Sequence, residues 1–319
     1  MKKELGTFIL LVVLCVVVAI LQPQFLSAAN LQNMARQIGM YGVFSLGIGI
    51  VIITGGIDLS VGSVFALLGV LLSMMLTEWM WPAALVVLII IAVAMAIGTL
   101  HGLLITKLRI QPFIVTLCGL LFYRGLARFI ANDETKGLGG AGRFDWLREL
   151  ATGVVFGVPM PFVLLIVISA GMWVLLHRSV YGRYLYAVGR NEMAARYSGI
   201  NSSRIIASAY IILGVLAGIS AILFAFYTNS ISPSSHGNSY ELYGIAAAVL
   251  GGCSLRGGEG SIIGILIGAA LLQVLQNLVN LLGIPSSLNF AVMGAVILAG
   301  VVTDQILKRR AAAAVRAAA

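Results

Sequence analysis

Asp58 is an acid set into an apolar run. In "ITGGIDLSVGSVFAL" (53–67) it follows two glycines and precedes Ser60, and no other charge falls in the stretch. Three employments fit a carboxyl there. Asp58 or Ser60 can stand at the N-cap of a helix beginning at Val61, accepting free N–H groups and gaining from the helix dipole. The acid can line a polar pathway, or it can hold a coupling cation or proton, as intramembrane acids do in ion-driven carriers. Arg124 and Arg128 lie one helical turn apart in "FYRGLARFI" (122–130); they can pair with an acid, snorkel to the interface or face a polar substrate. Glu241 and His236 stand at the outer mouth of a later apolar segment, where residues that fix a helix end are the plainest reading. Asp58, Ser60, Arg124 and Glu241 are therefore candidates for a pathway or a helix break, and not yet a site.

Catalytic machinery is absent from the sequence. It contains no GxxxxGK[ST], no HExxH and no GxSxG, and His101, His177 and His236 lie in separate segments with no cysteine or acid at ligand spacing. These absences argue against an ATPase and a metalloenzyme. An intramembrane enzyme using Arg124, Arg128 and Glu241 on a lipid-linked phosphate would lack an acid pair or a nucleophile with its base. A transport pathway needs no catalytic residue, only helices that rearrange around a polar cavity.

The elements that hold these residues follow from composition. Of 319 residues, 60% are hydrophobic and 10% charged, and the mean hydropathy is +1.05. Soluble domains carry roughly 25% charged residues, so the chain reads as an integral membrane protein without an appended soluble domain. The expected fold is all-α and polytopic. With about 20 apolar residues per crossing, spans fall near 6–22, 38–54, 60–77, 83–106, 113–131, 160–176, 206–229, 242–256, 261–282 and 288–306, about ten in all. One transmembrane domain then covers 1–306, and a low-complexity tail covers 307–319. Residues 1–22 read as a first span more readily than as a cleaved leader, because "LQPQFLSAAN" offers only a weak cleavage site.

The net charge of +9 comes from Lys and Arg gathered at the ends of apolar runs. That pattern fits topology signals and anionic lipid and not nucleic acid. With the amino terminus inside, fourteen of the twenty basic residues face the cytoplasm, Arg36, Lys136, Arg143 and Arg148 lie outside, and Arg124 and Arg128 sit in a span. Both termini are expected to be cytoplasmic. The odd cysteine total, Cys15, Cys118 and Cys253, implies small apolar packing and no disulfide framework.

Two loops are long. The outer one, 132–159, is glycine-rich and mixed in charge. The inner one, 177–205, contains "RNEMAARYSG" (190–199): Asn191 is a good N-cap, Glu192 suits a first turn, and Gly199 stands where a helix end favours a left-handed residue. A two-turn helix at 192–198 follows, and at that length it needs something packed on it. Glycines at Gly98/Gly102, Gly214/Gly218 and Gly260/Gly264/Gly268 predict close helix pairs. "TGGIDLSVG" (54–62) and "GGCSLRGGEG" (251–260) combine glycine with charge and predict broken segments turned inward.

"GIVIITGGIDLSVGSVFALLG" (49–69), "YGRYLYAVGRNEMAARYSGI" (181–200) and "YELYGIAAAVLGGCSLRGGEGSIIGILIGA" (240–269) together resemble the membrane permease subunits of bacterial ABC importers for monosaccharides, the group that includes ribose, xylose, arabinose, galactoside, rhamnose and autoinducer-2 systems. The likeness covers nearly the whole chain. It implies an inner-membrane permease working with a second permease subunit, identical or similar, a cytoplasmic ATP-binding cassette ATPase that supplies the missing P-loop, and a periplasmic sugar-binding protein; no cofactor in this chain is implied. The resemblance also implies that the short helix is the family's coupling helix, with Arg190, Asn191, Glu192 and Arg196 facing the ATPase. Two rivals stand beside it: an ion-coupled secondary sugar carrier using Asp58, and an ABC permease for branched-chain amino acids.

Overall fold

The computed structural model describes residues 2–285 except 140, 141 and 143, and beyond 285 only 288, 291, 292, 294, 295 and 298. The expected span 288–306 and the tail 307–319 therefore lie, almost entirely, outside the described residues. In chain order the helices are α1 (Lys2–Leu21), α2 (Ala28–Ile53), α3 (Val61–Thr77), α4 (Ala83–Thr106), α5 (Pro112–Ile130), α6 (Asp145–Thr152), α7 (Met160–Trp173), α8 (Val180–Arg190), α9 (Glu192–Tyr197), α10 (Ser202–Thr228), α11 (Tyr240–Leu250) and α12 (Ile262–Leu281). A 3-10 turn (Pro23–Leu26) precedes α2, and a π-type turn (Val174–Arg178) extends α7. Strand β1 (Lys136–Gly137) pairs antiparallel with β4 (Ser230–Ile231), and β2 (Val154–Val155) with β3 (Val158–Pro159).

Among the described residues seven helices are long and apolar enough to cross a membrane: α1, α2, α4, α5, α7 with its π turn, α10 and α12. The chain is an all-α, multi-pass membrane protein: its apolar segments are helices, and a helix satisfies its backbone groups within its own segment in lipid. Helix α4 occupies the expected 83–106. Helix α2 begins ten residues before the expected 38, because its first turns, "AANLQNMARQ", are too polar for a hydropathy ruler. One of those polar groups is met inside the protein: the side-chain amides of Asn30 and Asn277 on α12 exchange hydrogen bonds at 3.1 and 2.7 Å. The expected crossing at 242–256 is instead α11, 11 residues ending at Leu250. At 1.5 Å per residue α11 is about 17 Å long, half of a hydrocarbon core of about 30 Å.

Helix α2 is the axle of the bundle, with every residue from Gly39 to Ile53 buried. Close helix approach arises where the glycine spacing predicts it. A Cβ on Gly98 would strike the Tyr210 carbonyl oxygen, one on Gly214 would strike that of Ala94, and one on Gly268 would strike that of Ala247, so α4 meets α10 and α12 meets α11 backbone to backbone. Tyr41, Phe44, Phe65, Phe224, Tyr240 and Tyr243 form an aromatic cluster at the start of α11, with Tyr240 and Phe224 ring centroids 4.8 Å apart. The cysteines are free thiols, with Cys253 buried.

Of the two long loops, 132–159 contributes β1, α6 and the β2–β3 hairpin, and Lys136 in β1 reaches Glu78 at 3.0 Å. The loop 177–205 contributes α8 as well as α9. Helix α8 was not expected, since "VYGRYLYAVGR" is rich in glycine and aromatic residues, which are poor helix formers. Tertiary contact and an N-cap at Ser179, accepting from the Gly182 N–H at 3.2 Å, make up the deficit.

Candidate functional site

Both glycine-rich runs end a helix by the same device. After α2, the Gly55 N–H donates to the Ile52 carbonyl and the Gly56 N–H to that of Val51; after α11, Gly252 donates to Val249 and Cys253 to Ala248. These are paired helix-closing bonds of the kind that need a left-handed residue, supplied by Gly55 (φ 83°) and Gly252 (φ 94°). The first glycine of one pair and the second of the other take that position. Beyond Gly56 the chain runs without helical bonds until α3 starts at Val61. That stretch is buried in protein: the Tyr210 hydroxyl, about 12 Å along α10 from its start, donates to the Ile57 carbonyl at 3.1 Å.

Asp58 is only 3% exposed. Its Oδ1 accepts from the Ser60 N–H and the Ser60 hydroxyl, both at 2.7 Å, and its Oδ2 lies 3.4 Å from His101 Nδ1 on α4. His101 Nε2 in turn lies 3.0 Å from the Tyr123 hydroxyl on α5. The carboxyl thus closes a turn just before the helix and does not cap it directly: Ser60 is the N-cap residue, and its own side chain accepts no N–H of the first helical turn. His101, Tyr123 and Tyr210 were not picked out from the sequence. A contact between positions 43 apart has no local spacing, and the only available signal was a histidine in a strongly apolar run.

Arg124 and Glu241 reach the same turn from the other side. The Arg124 guanidinium donates to the carbonyls of Pro233 at 3.1 Å, His236 at 2.8 Å and Gly62 at 3.3 Å. Glu241, buried in the first turn of α11, takes a backbone hydrogen bond from Gly62. Arg128 stands apart, in an exposed pair with Asp133 at 2.6 Å. The four candidates Asp58, Ser60, Arg124 and Glu241 therefore converge on residues 58–62, although three different elements supply them: the run before α3, α5 and α11.

The end of the bundle that carries α8 and α9 holds the other candidates. The Asn191 side chain accepts from the Ala194 N–H at 3.0 Å, and at the far end Gly199 donates to Arg196 at 2.9 Å while Ile200 donates to Ala195 at 3.0 Å. A six-residue helix is thereby closed at both ends. Glu192 and Arg196 pair at 2.6 Å, and the Ser202 hydroxyl, at the start of α10, bridges them, accepting from Arg196 Nε at 2.6 Å and donating to Glu192 at 3.0 Å. Ala195 faces the protein, whereas Met193 and Tyr197 are 58% and 86% exposed. An open surface depression of about 340 Å³, lined by Arg196 and residues 199–203, lies at the turn into α10.

Helix α8 connects α9 to both broken segments. The Gly258 N–H donates to the Ile53 carbonyl at 2.8 Å, joining the end of α2 to the turn after α11. Gly189 lies over that bond so closely that a Cβ on it would overlap the Ile53 oxygen and sit 2.6 Å from the Gly258 nitrogen. The Tyr186 hydroxyl adds a bond to the Gly260 carbonyl at 2.7 Å.

Comparisons with known proteins extend these observations. Residues 30–301 match the family described as "Branched-chain amino acid transport system / permease component". The chain is 38% identical over 303 residues to the ribose import permease protein of Bacillus subtilis, covering 95% of this chain and 93% of that one. It is 38% identical over 301 residues to the ribose import permease protein of Escherichia coli K12, covering 94% and 93%. To the D-allose transport system permease protein of the same organism it is 30% identical over 305 residues, covering 95% and 92%. No solved structure matches the chain.

Proposed function

Because the chain belongs to the branched-chain amino acid transport system permease component family, we propose that it is the membrane-spanning subunit of an ATP-driven importer whose cargo is a ribose-like monosaccharide. The observation that carries the cargo class is the near full-length likeness to permeases named for ribose and allose. The amino-acid wording of the family description keeps branched-chain amino acids as the rival cargo. ATP hydrolysis belongs to a separate subunit, and a substrate-binding protein delivers the cargo. A second permease subunit, identical or similar, completes the pathway. We place the α8–α9 end in the cytoplasm, with both termini, on the strength of the basic-residue count. We read Asp58 as a structural group and not as an ion site, since its Oδ1 closes the turn at Ser60 and its Oδ2 faces His101.

Uptake of a labelled panel of sugars and branched-chain amino acids into vesicles, with the partner ATPase and binding protein present, tests this reading. Sugar uptake that needs ATP and survives collapse of the ion gradients is expected. Uptake that follows the gradients overturns the ATP-driven mechanism, and uptake of amino acids alone overturns the cargo.

Helix α9 is assigned as the contact for the ATPase, through Arg190, Asn191, Glu192 and Arg196 together with the exposed Met193 and Tyr197. Replacing 192–196 with a glycine–serine stretch is expected to leave membrane insertion intact and abolish co-purification of the ATPase. Retained co-purification would remove the assignment.

A further inference from the structure

The segment between α10 and α11, "SPSSHGNS" (232–239), is polar and free of Asp, Glu, Lys and Arg. Its position along α3 can be read from close contacts. A Cβ on Gly69 would lie 3.2 Å from Ile231 and 3.6 Å from His236, while one on Gly62 would strike the Gly237 carbonyl. Gly69 and Gly62 are about 12 and 22 Å from the Thr77 end of α3 by helical rise. Beyond that end stand Trp79 and Trp81, both exposed, as aromatic residues at a membrane interface are. From its pairing with β1 the chain thus turns back and descends across the midplane of a hydrocarbon core about 30 Å thick before the half-length helix α11 begins.

The two faces of this re-entrant segment differ. Pro233, His236 and Gly237 are buried, and Arg124 takes the Pro233 and His236 carbonyls. Ser234, Ser235 and Asn238 are exposed. Irregular backbone with polar side chains is not stable against lipid; it persists at this depth only inside protein or along a water-filled cavity. His236 Nε2, buried and without a hydrogen-bond partner among the described residues, marks the same region as polar beyond what the protein satisfies.

We propose that Ser234, Ser235 and Asn238 form part of the wall of the aqueous passage at mid-membrane and offer hydroxyl and amide groups to a polyhydroxylated cargo. Neutral groups that both donate and accept suit a sugar, whose hydroxyls also do both. They carry no charge to pair with the charged ends of an amino acid. This inference rests on the importer reading for its cargo, and on membrane depth alone for its water.

The test is cysteine accessibility in the assembled importer, with Cys15, Cys118 and Cys253 replaced by alanine. Ser234→Cys, Ser235→Cys and Asn238→Cys are each treated with a membrane-impermeant cationic methanethiosulfonate, and Leu88→Cys, 68% exposed on the flank of α4, serves as the lipid-facing comparison. The three loop cysteines are expected to react and Leu88→Cys to stay unlabelled. Labelling is expected to cut ATP-driven sugar uptake by about tenfold or more, as a fixed cation in a narrow passage does, and transported sugar to slow the labelling. Unreactive loop cysteines in a complex that still imports sugar would overturn the proposal and leave the importer standing. Labelling that leaves uptake unchanged would overturn it equally. If the cysteines react while the unsubstituted complex transports no sugar under any condition, the water-lined wall is upheld and the importer reading fails.

Discussion

Gly189→Ala is expected to eliminate assembled permease. The new methyl group would overlap the Ile53 carbonyl oxygen and crowd the Gly258 N–H, and both are backbone atoms with no rotamer through which to withdraw. Overpacking a tight site costs about 1–3 kcal/mol and more when the obstacle is main chain; here the displaced atoms also hold the bond that joins the two broken segments. Against a typical total stability of about 5–15 kcal/mol, loss of monodisperse protein in size-exclusion chromatography and uptake at background are the expected readouts. Gly171→Ala, at a position open within 4 Å, is the comparison and should behave as the unsubstituted chain. A folded, active Gly189→Ala would show that α8 does not bear on the breaks.

Asp58→Leu should be nearly as damaging, and Asp58→Asn mild. Leucine leaves the Ser60 N–H, the Ser60 hydroxyl and His101 Nδ1 without their partner in a dry site. At about 1–3 kcal/mol for each stranded buried group the loss is on the order of 4 kcal/mol. Asparagine keeps an acceptor for Ser60, and its amide can donate to His101 if the imidazole carries its proton on Nε2, from which Tyr123 then accepts. Thermal melting and uptake of the two variants separate the accounts. Normal folding of Asp58→Asn with abolished uptake would show that the charge itself is used, which closure of a turn does not require.

What could be read in advance was whatever is written locally. Helix α4 is uniformly apolar between turn signals, and the ends of α9 are set by Asn191 and Gly199, so each was legible within a few residues. The early start of α2 was hidden because its first turns are polar, and the partner of Asn30, Asn277 on α12, lies almost 250 positions away in sequence. Asp58 was visible as an anomaly, but its partners His101, Tyr123 and Ser60 come from three elements, and only the last is adjacent. The descent of residues 232–239 was concealed for a related reason: a polar segment between apolar runs reads as an external loop, and depth is a property of the neighbours it packs on. Helix α8 escaped because its helical state depends on Gly182 and Gly189 fitting against other backbone, an attribute that lowers helix propensity on its own.

The closed ends of α9 bear on how fast a partner can engage it. Segments that order only on contact surrender chain entropy at the moment of binding and give up affinity for it. With its cap, its terminal bonds and the Glu192–Arg196–Ser202 bridge formed within the free chain, α9, as the proposed ATPase contact, would meet that partner already shaped. Association should then proceed in a single kinetic phase whose rate is set by encounter and, through its charged residues, by ionic strength, with no slower folding step behind it.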